Sequence, residues 1–149
     1  MKINNRNYDY IDFETIKENW NLYDVEDGTI IKFKIVLLKI IPTVAPVQVQ
    51  IPGQGQVNAQ SIAFNTANLM TIISTKEAKG TPSSPDTEMK IERKDISFKI
   101  LTEEWNEYKL EDGKILKMKP TIVQIDKTIH YDQYGEPNYL VKSQPLIKM

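Results

Sequence analysis

Residues 18–34 read ENWNLYDVEDGTIIKFK, and residues 103–119 read EEWNEYKLEDGKILKMK. At this offset of 85 residues (Glu18 to Glu103), the stretches agree at Glu18/Glu103, Trp20/Trp105, Asn21/Asn106, Tyr23/Tyr108 and throughout the Glu-Asp-Gly triplet. Ile30/Ile115, Lys32/Lys117 and Lys34/Lys119 also agree, while Val25/Leu110, Ile31/Leu116 and Phe33/Met118 exchange one apolar group for another. Upstream, Ile11/Ile96 and Phe13/Phe98 keep the same register. An internal repeat of this kind marks a supersecondary unit that cannot bury its apolar face alone and finds cover in its own copy.

Each stretch reads as a β-hairpin. Tyr23 and Val25 alternate with polar neighbours, Gly28 supplies the positive φ a tight turn needs, and Ile31, Phe33 and Ile35 resume the alternation. A three-residue loop of Glu26, Asp27 and Gly28 sets Val25 opposite Thr29 and Tyr23 opposite Ile31. Because strand side chains alternate, Tyr23, Val25, Ile31, Phe33 and Ile35 then share one face and Lys32 and Lys34 the other. The second stretch places Tyr108, Leu110, Leu116 and Met118 inside by the same logic.

Working outward, residues 35–41 load both faces with apolar groups, which predicts a strand covered on both sides. Pro120 in the matching strand cannot donate a ladder hydrogen bond and predicts a bulge or an edge. Setting IAFNTANLMTII (from Ile62) over YLVKSQPLIKM (from Tyr139) gives an offset of 77, so the first copy holds eight extra residues, assigned to the loop IPGQGQVN after the run VQVQI. FETIKENW and LTEEW carry signals of short helical turns. The organisation expected is one domain of two repeats, 1–74 and 96–149, joined by a polar Gly/Pro/Ser linker over 75–95.

Composition narrows the function. A chain of 149 residues buries enough surface to be stable without staples. The absence of cysteine excludes disulfides, thiolate nucleophiles and cysteine metal sites, and it fits a reducing compartment. A net charge of −1 and a pI near 5.9 provide no global attraction for nucleic acid or an anionic membrane. The start of the chain lacks a signal-type apolar core and no apolar run reaches membrane length, so a soluble, cytoplasmic protein is expected.

Three constellations hold possible chemistry. Glu26, Asp27, Glu111 and Asp112 would share a proton or a divalent cation if the two turns converged, yet turn chemistry already accounts for every residue of the triplet. Trp20, Tyr23, Trp105 and Tyr108 with Lys32, Lys34, Lys117 and Lys119 would make a single-strand nucleic-acid surface. The strand register, however, turns the tyrosines inward and sets Glu107 across from Lys117 as an ordinary charge pair. His130, the sole histidine, stands near Tyr131 and Asp132 without a nucleophile motif, which points to a loop or strand-end role. PGQGQ (52–56) lacks the lysine and spacing of a phosphate loop and reads as a flexible loop.

The expectation is therefore a mainly β protein: an internally duplicated β-barrel or β-sandwich with pseudo-two-fold symmetry and at most short helical turns. Its expected role is a non-catalytic interaction or assembly module that forms a homo-oligomer or binds a protein partner. Two alternatives stand beside it: an enzyme or divalent-metal binder using the paired turns or His130, and a single-stranded nucleic-acid binder. No residue is assigned a catalytic, cofactor or metal role.

Overall fold

The computed structural model describes residues 1–42, 47–51, 55–59 and 62–149. Its strands are β1 (Lys2–Ile3), β2 (Arg6–Asn7), β3 (Phe13–Lys17), β4 (Asn21–Val25), β5 (Ile30–Pro42), β6 (Val47–Ile51) and β7 (Gly55–Ala59). They continue with β8 (Ile62–Ile73), β9 (Ile91–Arg93), β10 (Phe98–Thr102), β11 (Asn106–Leu110), β12 (Ile115–Tyr131) and β13 (Pro137–Lys148). Among the described residues there is no helix, and hence none long and apolar enough to cross a membrane.

Both hairpins adopt the expected register. Tyr23 lies opposite Ile31, and the Val25 N–H donates to Thr29 O at 2.9 Å; in the second hairpin Tyr108 lies opposite Leu116, and the Leu110 N–H donates to Lys114 O at 2.8 Å. Gly28 (φ 85°) and Gly113 (φ 89°) take the left-handed conformation that a side chain resists. Tyr23, Val25, Ile31, Phe33, Ile35, Tyr108, Leu110, Leu116 and Met118 are all buried, in one hydrophobic cluster shared by the two larger sheets.

The helical expectation fails at FETIKENW and LTEEW. Phe13–Lys17 and Phe98–Thr102 are strands, and each pairs with the hairpin of the other half of the chain: β3 with β11 and β10 with β4. Thr15, Ile16 and Ile100 are β-branched, and a waiting ladder outweighs a weak local helix signal. The resulting sheets run β10-β4-β5-β8 and β13-β12-β11-β3, with β9 added to β12. Neither closes on itself, so of the barrel or sandwich expected the closed barrel is not formed.

Their registers repeat. Phe98 faces Val25 as Phe13 faces Leu110, at offset 85, and Met70 faces Phe33 as Ile147 faces Met118, at offset 77.

A second correction concerns residues 35–41. The ladder between β5 and β8 shifts between Leu37 and Lys39, which leaves Leu38 as an extra residue, 53% exposed. One inserted residue reverses the phase of the alternation. Ile35, Leu37 and Ile40 therefore all reach the core, with no need for a cover on both faces. β12 repeats the device between Ile122 and Gln124, leaving Val123 54% exposed and Ile125 buried. Pro120 lies just before that shift and beyond Met118, the last β12 residue paired with β11, so its missing N–H spoils no ladder on that side.

Part of the eight-residue insertion is strand and not loop. Gly55 and Gln56 open β7, which pairs with VQVQI (β6), whereas residues 52–54 lie outside the described residues. The 75–95 segment follows the second half closely. Gly80 N–H donates to Gly135 O at 2.9 Å, Tyr131 N–H to Ser83 Oγ at 3.0 Å, and Ile91 and Arg93 pair with β12.

The strand facing makes a direct prediction. Tyr108→Ala empties a fully buried site and is expected to cost about 3–5 kcal/mol, whereas Lys117→Ala, half exposed beside Glu107, should change stability by less than about 1 kcal/mol. Thermal or urea melts that reverse this ranking contradict the facing.

Candidate functional site

The repeated polar letters meet where the two halves of the chain join. Tyr108 OH donates to Glu18 Oε2 at 2.7 Å, and Tyr23 OH donates to Glu103 Oε2 at 3.0 Å. Each phenol thus reaches the carboxylate that precedes the other hairpin. Burial first, and then the facing carboxylate, push both phenol pKa values upward, so both stay protonated donors. Lys34 stands 3.9 Å from Glu18 and Lys119 stands 3.8 Å from Glu103.

Two buried asparagines complete the junction. Asn106 Oδ1 accepts from the Asn19 N–H at 2.8 Å while its Nδ2 donates to Ile35 O at 2.9 Å. Asn21 Oδ1 accepts from the Glu104 N–H at 2.9 Å, and its Nδ2 donates to Phe33 O at 3.3 Å. An asparagine with no exposed surface is tolerable only when it is bonded in this way. Sequence reasoning missed the roles of Glu18, Glu103, Asn21 and Asn106. Their signal was present: groups costly to bury stand at matching positions in the two similar stretches.

The tryptophans and lysines form covered ladders. Lys32 and Lys34 lie 5.0 and 5.6 Å from the Trp20 ring centroid, and Lys119 lies 4.9 Å from that of Trp105. Lysines thus stand over the rings while the tyrosines point inward, and Trp20 remains 37% exposed.

The two Glu-Asp-Gly turns differ. Asp27 accepts from the Thr29 N–H at 3.0 Å, from Lys127 Nζ at 3.2 Å and from Tyr139 OH; Glu26 pairs with Arg93. Among the described residues Asp112 accepts only from its own turn, at Lys114 N (3.0 Å), with Lys114 Nζ at 3.7 Å, and Glu111 accepts from the Asp12 N–H at 3.3 Å. The residues matching Tyr139 and Lys127, at offsets 77 and 85, are Ile62 and Pro42, whose side chains have no donor. Burial alone would raise the Asp27 pKa; hydrogen bonds from Tyr139, Thr29 and Lys127 outweigh it and hold the carboxyl below the usual range.

His130 occupies the end of β12, where its backbone N–H donates to Thr128 Oγ1 at 3.1 Å and its buried Nδ1 has no partner among the described residues. Among those residues, no three His, Asp or Glu side chains gather as a cation would require. Two matching grooves lie beside the turns. One, of about 490 Å³, is lined by Asp24, Glu26, Phe98 and Lys99; the other, of about 220 Å³, by Asp12, Phe13, Glu14 and Lys109. Ser97 also lines the larger groove, beside Asp24 and Glu26. Comparison with known proteins finds no family model, no curated protein and no solved structure that matches this chain.

The crossed pairs can be tested by double-mutant cycles. Tyr108→Phe and Glu18→Gln should couple by about 1–2 kcal/mol, while Tyr108→Phe and Glu103→Gln should add independently. The Asp27 shift sets a pH dependence. Its folded pKa is depressed, so its contribution is complete above the unfolded carboxylate value of about 4 and is lost as pH falls through the lower folded value. Asp27→Asn should therefore destabilise at pH 7 by about 1–2 kcal/mol, with the deficit shrinking below about pH 4 in acid-titrated urea melts.

Proposed function

We propose that the protein is a non-catalytic interaction or assembly module, built by duplication of a β-rich unit whose copies pack as a sandwich about a pseudo-two-fold axis. The matched registers at offsets 85 and 77, and the reciprocal exchange of β3 and β10, support that architecture. The functional reading rests chiefly on one observation. Apolar side chains stand 44–57% exposed on the edge strands: Leu69 and Ile73 on β8, Ile100 and Leu101 on β10, Leu146 and Ile147 on β13. Exposed apolar groups arrayed on strand edges are surfaces for other strands. The polar residues that recur in both halves are meanwhile engaged in joining them, which weakens the enzyme and metal readings. Lysines seated on tryptophans and paired with glutamates weaken the nucleic-acid reading.

A closed homodimer is the commonest soluble assembly and is the form proposed here. The absence of cysteine suits such a protein in the reducing cytoplasm. Sedimentation velocity from micromolar to near-millimolar protein should reveal a species of twice the 17.2 kDa chain mass that grows with concentration. A monomer throughout, or calorimetric binding of calcium, magnesium or zinc that vanishes in Asp27→Asn/Asp112→Asn, overturns this reading.

A further inference from the structure

We infer that β8 pairs antiparallel with β8 of a second copy of this chain, joining two four-stranded sheets edge to edge about a two-fold axis at Ala67. This deepens the self-association reading above and rests on it.

β8 ends its sheet, and its ladder runs to β5 alone among the described residues. Half of its backbone N–H and C=O groups therefore face outward along 12 residues. Natural edges of that length are normally blunted by charge, proline or bulges. β13, in the matching place of the other sheet, carries Pro145, Lys142 and Lys148. β8, IAFNTANLMTII, has no charge, no proline and no glycine, and Leu69, Met70 and Ile73 stand 40–54% exposed.

The absence of charge selects the occupant. Across a two-fold axis an edge meets its own sequence, so any lysine or glutamate near the axis would approach its own copy. Facing residues in an antiparallel pair must also lie on the same side of the sheet, so their numbers share parity and one residue faces itself. The even residues point inward, since Phe64 and Met70 lie opposite the buried Ile40 and Phe33. On the inward side an axis at Ala67 sets Phe64 against Met70, Ile62 against Ile72 and Thr66 against Asn68, apolar to apolar and polar to polar, while on the outward side it sets Asn65 against Leu69 and Ala63 against Thr71. Shifting the axis to Thr66 sets Phe64 against Asn68; shifting it to Asn68 sets Met70 against Thr66. Ala67, which faces itself, is small. A cavity of about 210 Å³ lies beside Met70 and Ile72, walled also by Pro137, Asn138 and the carboxylates of Asp132 and Glu136.

A chain without cysteine makes the test direct. Facing Cα atoms lie about 4.5–5.5 Å apart, within disulfide reach. Mild oxidation of the full-length Ala67→Cys variant should give a covalent dimer that reductant reverses. Asn65→Cys alone and Leu69→Cys alone should stay uncrosslinked, whereas their mixture should crosslink, because residues 65 and 69 face each other in this register. Ala67→Lys, with an unchanged circular dichroism spectrum, should weaken self-association by about tenfold. Crosslinking of all single variants alike overturns the register. Dimers that persist in Ala67→Lys and fail to crosslink through Ala67→Cys overturn the β8 pairing and leave self-association standing; a parent chain that is monomeric throughout overturns both.

Discussion

The reciprocal tyrosine–glutamate pairs are the constraint on which the remaining architecture depends. A half-buried carboxylate is costly unless it is bonded, and a buried phenol needs an acceptor. Glu18 and Glu103 find those phenols only on the opposite half of the chain, through Tyr108 and Tyr23. To reach them, the segment ahead of each hairpin crosses over and adds as a strand to the other hairpin's sheet. The exchanged strands and the crossed hydrogen bonds therefore form one arrangement. Each half thus supplies hydrogen-bond partners for the Glu, Asn and Tyr of the other, which accounts for their recurring together.

Much of this was legible in the letters. The hairpins, their register and their inner faces follow from period-two alternation around a Gly-bearing turn, and two independent spellings agree on the pattern. Even the weaker alignment at offset 77 has its counterpart in the register, since Pro145 faces Pro120 as Asn68 faces Ile35. The exchanged strands were not legible. Five residues at 13–17 carry too little alternation to separate a strand from a helical turn, and their partners lie in the other half of the chain. The bulges at Leu38 and Val123 escaped for a related reason: an inserted residue makes a one-sided strand look apolar on both faces.

The Glu-Asp-Gly turns show how a repeated motif can diverge in its surroundings. As turns they are equivalent, each with a left-handed glycine and an aspartate capping the backbone two residues on. Asp27 alone gains a phenol and an ammonium, contributed by Tyr139 and Lys127 from 112 and 100 positions away. Local sequence cannot distinguish the two aspartates. Comparing Tyr139 with Ile62, and Lys127 with Pro42, does separate them, once the offsets of 77 and 85 are known.

The same comparison isolates the edges. β8 and β13 occupy matching positions, and both leave apolar groups exposed, yet prolines and lysines interrupt only β13. Stability of the single chain does not account for the difference, because outward groups on either edge contribute little to the shared core. Protection against pairing does account for it. A lysine on an edge costs the fold almost nothing and discourages strand addition, so a long edge that carries none lacks the cheapest available defence. Under the proposed duplication, two edges that began alike now differ chiefly in whether another strand can join them, and β8 is the one left able to accept it.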